Sequence, residues 1–147
     1  MQAALAAVGM MLGMAVLVAA PKPARYLGRD GVALNGYDAV AYFVSSKAVK
    51  GDPRYEYSWD GARWRFVTAA NRDRFASNPS QFAPQFGGYC AYAVSQGHTA
   101  SADPEAWSVV DGKLYVNYSQ AVRSTWEKDI PGYIARANAN WPTVLDK

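Results

Sequence analysis

The chain of 147 residues is poor in the side chains that bind soft metals and act as thiol nucleophiles: it has one cysteine, Cys90, and one histidine, His98. A single cysteine excludes a disulfide within the chain. A structural zinc site takes four ligands, so these two residues would need carboxylates or a second chain to complete one. Basic residues are scattered, with no run of five or more. A net charge of +3 in that pattern predicts an ordinary solvated surface and no nucleic-acid partner.

Signatures of nucleotide binding and hydrolysis are missing as well. The sequence contains no P-loop, no Rossmann glycine fingerprint and no Gly-x-Ser-x-Gly elbow. A thiol enzyme would need Cys90 and His98 to meet a third, orienting group, for which Asp38, Asp103 and Asp111 are the candidates. We therefore predict a protein that is not an enzyme. A thiol-dependent enzyme or redox protein is the least favoured alternative.

The first twenty residues carry no charged side chain, which indicates a signal peptide or an N-terminal membrane anchor. The segment lacks a basic n-region, and Pro21 directly follows the small residues at which a signal peptidase would cut. Residues 1–20 are also long enough to span a bilayer, and Lys22 and Arg25 just beyond them would then favour a cytoplasmic domain. We favour a periplasmic or secreted protein, whether or not the segment is removed, that contacts membrane only through residues 1–20.

Hydrophobic and aromatic residues are plentiful. Half of the chain is hydrophobic, and five Trp and ten Tyr supply large apolar surfaces, enough for the core of one domain. Residues 21–33 contain two prolines with polar and basic neighbours, which predicts a linker that precedes this domain.

Two β-hairpins are predicted. Residues 55–59 and 63–67 alternate aromatic and polar side chains around Asp60-Gly61, a dipeptide typical of tight hairpin turns. Residues 107–110 and 114–117 form a second pair around Asp111-Gly112. No long internal repeat is evident between them.

Short helices are predicted around the hairpins. Thr68 is the N-cap of a helix that ends near residue 77, and Ser119 is the N-cap of another that ends near residue 128. Pro131 begins the last helix, and the Asp-Pro-Glu sequence at 103–105 indicates a further helix start or a turn. Strand pairs mixed with short helices, rather than strands alternating with helices, predict a small single α+β domain.

Residues 84–98 contain the candidate functional site. The Gly87-Gly88 pair permits positive φ or close backbone approach, and Cys90 and His98 follow it as the candidate metal ligands. The remaining candidates for the lining of a ligand pocket are Tyr37, Asp38, Tyr42 and Tyr89. The spacing of Cys90 and His98 fits no standard ligand motif, and a buried, inert thiol beside a solvent-exposed histidine stays open as the alternative.

Several ordered motifs resemble exported proteins of the YHS-domain family. They are residues 36–43 (Gly-Tyr-Asp-Ala-Val-Ala-Tyr-Phe), 71–75 with the Asn-Pro at 78–79, 83–92 (Ala-Pro-Gln-Phe-Gly-Gly-Tyr-Cys-Ala-Tyr), 103–107, 111–118 and 140–142. The resemblance covers residues 34–142, which we predict as a YHS-like domain followed by a C-terminal tail at 143–147.

This resemblance implies a binding or accessory protein in metal handling. Copper or zinc is the metal expected from the residues, because a soft thiolate suits Cu(I) or Zn(II). Shorter YHS modules carry a Phe-Cys-Ser-x-x-Cys pattern after a hairpin, but the matching cysteine positions here are Val67 and Asn71. Cys90 is therefore the one thiol left to bind a metal ion or small ligand. The alternative is an interaction or structural domain whose thiol binds nothing.

Overall fold

The computed structural model describes residues 2–4, 9, 13–17, 20–28 and 30–147, and it shows a small α+β domain. Most of the predicted leader lies outside the described residues. In the part of the chain that is described, no helix has the length and apolar character needed to cross a membrane.

The helices and strands are short and follow each other in a regular order. They are α1 (Ala41–Val44), β1 (Asp52–Trp59), β2 (Ala62–Phe66), α2 (Ala69–Ser77), α3 (Pro79–Phe82), α4 (Ala91–Ser95), β3 (Asp103–Val110), β4 (Lys113–Asn117), α5 (Gln120–Trp126) and α6 (Ile130–Asn140). In the described part of the chain, 3-10 turns are interspersed at Leu34–Gly36, Gln85–Gly88, Glu127–Asp129 and Thr143–Asp146.

Both predicted hairpins are confirmed, each as a separate two-stranded antiparallel sheet. Their turns place Asp60 and Gly61, and likewise Asp111 and Gly112, at positive φ. Positive φ at both central residues matches the right-handed twist of the strands, which is why Asp-Gly is favoured there. The predicted helix caps are present too: Thr68 accepts the N–H of Asn71, and Ser119 accepts the N–H of Val122.

The predicted helix start or turn at residues 103–105 is instead the beginning of strand β3. Asp103 pairs with Asn117, and the ladder is irregular from there to Trp107. Pro104 lies in that irregular stretch, where its missing N–H removes no regular ladder bond. The side chain of Asp103 accepts the N–H of Glu105, which gives a local turn within the strand.

The prediction that the chain contains no long repeat is wrong at the level of structure. Strand β3 begins and ends 51 residues after β1, the bounds of β4 follow those of β2 by the same interval, and so do the caps Thr68 and Ser119. Even the irregularity at the start of β1 recurs in β3. We call residues 38–77 the first unit and residues 90–126 the second unit. The repeat was missed because the two hairpins share only their Asp-Pro and Asp-Gly dipeptides.

Each unit packs its helix against its own hairpin through aromatic side chains. Trp64 and Phe75 meet at 4.8 Å between ring centroids in the first unit, and their counterparts Tyr115 and Trp126 meet at 5.5 Å in the second. Around these pairs lie two clusters of buried hydrophobic residues. Burial of aromatic rings of this size is the main stabilisation available to so small a domain.

Residues 20–28, which we call the N-terminal strap, lie against residues 87–89 and the C-terminal end of the chain. The N–H of Lys22 donates to Leu145 O at 2.8 Å, and the N–H of Tyr26 donates to Gly87 O at 2.8 Å. The hydroxyl of Tyr89 donates to Pro23 O at 2.7 Å. The segment predicted as a linker is thus hydrogen-bonded both to residues 87–89 and to the C-terminal end of the chain.

Candidate functional site

Cys90 lies at the N-terminus of α4 with 1% of its surface exposed. Its thiol donates to Asn117 Oδ1 at 3.6 Å, and its sulfur accepts the N–H of Tyr118 at 3.2 Å. Both partners come from the end of β4, so the thiol joins the start of the helix to the end of the strand. The hydrogen-bonding capacity of the thiol is used within the protein.

Burial raises the pKa of the Cys90 thiol above its usual value near 9.0. The backbone N–H groups of Ala93, Tyr118 and Tyr92 act in the opposite direction, because they favour a negative charge on sulfur, but burial is the larger effect. At neutral pH the side chain is therefore an uncharged thiol. A thiol of this kind is a weak nucleophile and a weak metal ligand, since both roles need the thiolate.

Asp38 is the counterpart of Cys90 in the first unit and is fully buried. Its Oδ1 accepts the N–H groups of Val40 and Ala41 at 2.8 and 3.1 Å. Its Oδ2 accepts the N–H of Val67 and the side-chain amide of Asn71, each at 2.9 Å. Asp38 thus connects α1, the end of β2 and α2, and its carboxylate is engaged on both oxygens.

The two units differ in where they place an amide side chain. In the first unit Asn71, on α2, bonds to Asp38; the equivalent position on α5 is Val122. In the second unit the amide belongs to Asn117, at the end of β4, where the first unit has Phe66. The Val122 side chain has no polar group that could bond to Cys90. No side-chain hydrogen bond therefore crosses the space between Val122 on α5 and the Cys90 thiol.

A surface pocket of about 270 Å³ lies in that space. We call it the Cys90 pocket, and it is lined by Cys90, Tyr92, Ala93, His98, Ala100, Tyr118 and Val122. The structure therefore brings the two predicted metal-ligand residues into one pocket, with the buried Cys90 and the exposed His98 both in its lining. The pocket walls are mostly apolar and aromatic.

Three of the predicted pocket residues lie elsewhere. Asp38 is the buried carboxylate described above. Tyr42 is 2% exposed and donates its hydroxyl to Pro104 O at 2.9 Å, and burial raises its pKa. Tyr37 donates to Glu105 Oε1 at 3.3 Å. None of the three lines the Cys90 pocket. Tyr37 and Tyr42 bond to strand β3, whereas Asp38 bonds within the first unit.

Gly87 and Tyr89 contact the strap. Gly87 has φ of +63°, and a Cβ there would overlap Ala24 O, so the missing side chain is what lets the strap approach. Gly88 also has positive φ, at +83°. Tyr89 is buried, and its hydroxyl donates a hydrogen bond to Pro23 O. The prediction of close backbone approach at this pair is thus explained by a segment of the same chain.

A second pocket, of about 340 Å³, lies beside Gly87 and was not predicted from the sequence. We call it the strap pocket; Arg25, Asp60, Ser80, Gln85, Gly87 and Trp141 are among its lining residues. A neighbouring depression of about 450 Å³ shares Asp60 with it. No sequence pattern indicates the strap pocket, because Arg25 comes from the segment predicted as a linker and Asp60 from a hairpin turn.

Within the described residues, no group of three or more His, Cys, Asp and Glu side chains could together hold a metal ion. The thiol-enzyme alternative would need a third, orienting group in this pocket, but Asp38, Asp103 and Asp111 are absent from the lining. A metal ion in the Cys90 pocket would have Cys90 and His98 as its protein ligands.

No family model, curated protein or solved structure matches this chain. Membership of the YHS family stays a prediction from the motifs in residues 34–142. The Cys90 pocket and the strap pocket are the observations from which a function can be proposed.

Proposed function

We propose that this protein is an exported, non-enzymatic binding protein of the YHS type, and that it takes a small uncharged ligand in the Cys90 pocket. One observation carries the proposal: Cys90 and Val122 line an open pocket at the positions where Asp38 and Asn71 bond to each other in the first unit. The two units have the same backbone framework, and the loss of this side-chain bond in the second unit leaves room for a ligand.

The chemistry of the walls supports an uncharged, largely apolar ligand. Ala93, Ala100 and Val122 offer only apolar surface, and the raised pKa of Cys90 keeps its thiol neutral. A charged ligand would lose its hydration here without gaining an ion pair from Cys90. The volume, about 270 Å³, lies just below the ~300–1,000 Å³ of pockets for drug-sized molecules, which suits a small ligand.

Two exposed side chains would orient such a ligand. Tyr118 is 57% exposed, which is unusual for so large an aromatic residue and makes its ring available as a wall. His98 is exposed and supplies an imidazole that can donate or accept a hydrogen bond. An aromatic molecule with one hydroxyl would use both groups.

A metal ion is the second candidate, because one pocket contains both a sulfur and an imidazole. Soft thiolate and imidazole ligands suit Cu(I), and imidazole also suits Zn(II). Binding would require the Cys90 proton to leave, against the effect of burial on its pKa. This requirement makes the metal the less supported of the two ligands.

The test uses the full chain, purified under reducing conditions and titrated separately with phenol, Cu(I) and Zn(II). We expect phenol to shift the NMR signals of His98, Tyr118 and Val122 in a saturable way. Val122→Phe should fill the pocket and abolish those shifts. The control Ser124→Phe places the same ring at an exposed position on the same helix and should leave them unchanged.

The same titrations separate the two candidates. Stoichiometric Cu(I) or Zn(II) that is lost in both Cys90→Ser and His98→Ala, with no response to phenol, would replace the small-ligand proposal with a metal site. If neither phenol nor metal perturbs these residues, the Cys90 pocket is not a binding site and the thiol is structural.

A further inference from the structure

The strap pocket is formed where four distant parts of the chain meet. The strap, the β1–β2 turn, the segment from Ser80 to Gly87 and the residue that follows α6 all contribute to it. Its volume of about 340 Å³ lies within the range of small-molecule sites, roughly 300–1,000 Å³. The pocket is separate from the Cys90 pocket and shares none of its lining residues.

Arg25 is held rigidly in this pocket. Its guanidinium lies over the ring of Trp59 at 4.8 Å, its Nε donates to Asp60 Oδ2 at 2.7 Å, and its Nη1 donates to Pro84 O at 3.2 Å. Only 17% of the Arg25 side chain is exposed, against 47% of the Asp60 side chain. Three contacts fix the plane of the guanidinium, so its remaining N–H groups are oriented before any ligand arrives.

The ion pair determines which charge the pocket accepts. A negative ligand would meet the Asp60 carboxylate, and a positive ligand would meet the Arg25 guanidinium, so neither is favoured. A hydroxyl can accept from the guanidinium, and a neighbouring hydroxyl can donate to the carboxylate. Adjacent hydroxyl groups therefore match the pair, and Ser80 and Gln85 add further polar side chains to the lining.

Trp141 supplies an aromatic surface beside this polar pair. Trp141 is half-buried and lies in the lining of the pocket. An apolar ring next to a few fixed polar groups is the usual composition of a small-molecule site. A ring-shaped polyol has C–H groups to pack on the indole and hydroxyls for the ion pair.

We propose that the strap pocket binds a neutral polyhydroxylated molecule, such as a pyranose sugar, between the Arg25–Asp60 pair and Trp141. The site stands independently of the Cys90 pocket, because it uses a different set of residues. Binding would also stabilise the contact of the strap with the domain, since Arg25 belongs to the strap and Asp60 to the first unit.

The experiment is an NMR titration of the full chain with three matched sugars: an uncharged methyl glucopyranoside, anionic glucuronate and cationic glucosamine. We expect the neutral sugar to shift the Arg25 Nε–H and the Trp141 indole N–H and to bind more tightly than either charged analogue. Asp60→Asn should weaken it at least about tenfold, because a hydrogen bond to a charged acceptor is lost.

Asp111→Asn is the control, because Asp111 holds the same turn position in the other hairpin, at a φ of 51° against 52° for Asp60. It should change the affinity by less than about twofold. Arg25→Gln provides a second test that leaves the turn untouched and should also weaken binding. The proposal is overturned if the neutral sugar shifts neither signal, if a charged analogue binds more tightly, or if Asp60→Asn and Asp111→Asn have equal effects.

Discussion

Asp38 and Cys90 occupy equivalent positions in two structural units, and corresponding backbone N–H groups surround both side chains. The donors to Asp38 are Val40, Ala41 and Val67. Those around the Cys90 sulfur are Tyr92, Ala93 and Tyr118. The backbone N–H groups of Asp38 and Cys90 also correspond, since they donate to Val49 O and Ala100 O at 2.8 and 3.0 Å. The framework that holds a carboxylate in one unit holds a neutral thiol in the other.

This equivalence predicts that the hydrogen bond between Asp38 and Asn71 in the first unit can be introduced at the equivalent positions of the second unit. Cys90→Asp and Val122→Asn introduce the residues that bond to each other as Asp38 and Asn71. In a double-mutant cycle we expect the two changes to stabilise each other by about 1.5–3 kcal/mol, the range for a hydrogen bond to a charged group. The measurement is the free energy of unfolding in urea. A coupling of zero would show that the two sites are not geometrically equivalent.

Asp38 should be a main determinant of stability. Asp38→Ala leaves the buried N–H groups of Val40 and Ala41 and the part-buried N–H of Val67 without their acceptor. We expect a loss of at least about 3 kcal/mol in the free energy of unfolding, because each unpaired buried donor costs about 1–3 kcal/mol. Asp73→Ala is the control. Its carboxylate is 70% exposed and, among the described residues, pairs with Arg72 alone, so its loss should cost under about 1 kcal/mol. Similar losses in the two variants would contradict the structural role of Asp38.

The Cys90 thiol should make the protein less stable at alkaline pH. Its pKa is raised in the folded state, so the unfolded chain loses the proton first as the pH rises. The folded state then holds more protons than the unfolded state, and the free energy of unfolding falls above about pH 9. Urea unfolding of wild type and Cys90→Ser between about pH 7 and about pH 10 checks this. The difference between the free energies of unfolding of the two proteins should be constant below about pH 9 and change above it. Taking the difference also removes the contribution of the tyrosines, which both proteins share. A constant difference throughout would mean that the thiol is not perturbed.

Gly87 should control the attachment of the strap. Gly87→Ala adds a Cβ that overlaps Ala24 O at a residue with positive φ, so we expect the strap to be displaced. Trypsin should then cut more quickly after Arg25, which is followed by Tyr26. Gly112→Ala is the control, because Gly112 has φ of +74° but no atom near a Cβ position. It should cost about 1 kcal/mol for the backbone conformation alone and leave cleavage in the strap unchanged. Equal cleavage rates in the two variants would show that Gly87 does not hold the strap.

The sequence by itself determined the features that depend on neighbouring residues, namely the hairpin turns and the helix starts. Asp60-Gly61 and Asp111-Gly112 predicted the turns, because positive φ at both central residues is a property of the dipeptide itself. Thr68 and Ser119 predicted the helix starts, because a cap bonds to an N–H three residues along the chain. From these short-range signals the α+β class followed. At residues 103–105 the same reasoning failed, because the pairing with β4 decided the conformation of a sequence that is equally typical of a turn.

The tertiary structure alone decided which side chains meet. Cys90 bonds to Tyr118 and Asn117, Arg25 to Asp60, and the strap to Leu145, all across separations that no local pattern encodes. The repeat was hidden for the same reason: the fold conserves backbone hydrogen bonds and ring packing, which very different side chains can satisfy. Whether a cysteine is a metal ligand or a buried, inert thiol depends on its surroundings. For Cys90 those surroundings are N–H groups and an amide brought from the far end of a strand, and they exist only once the chain has folded.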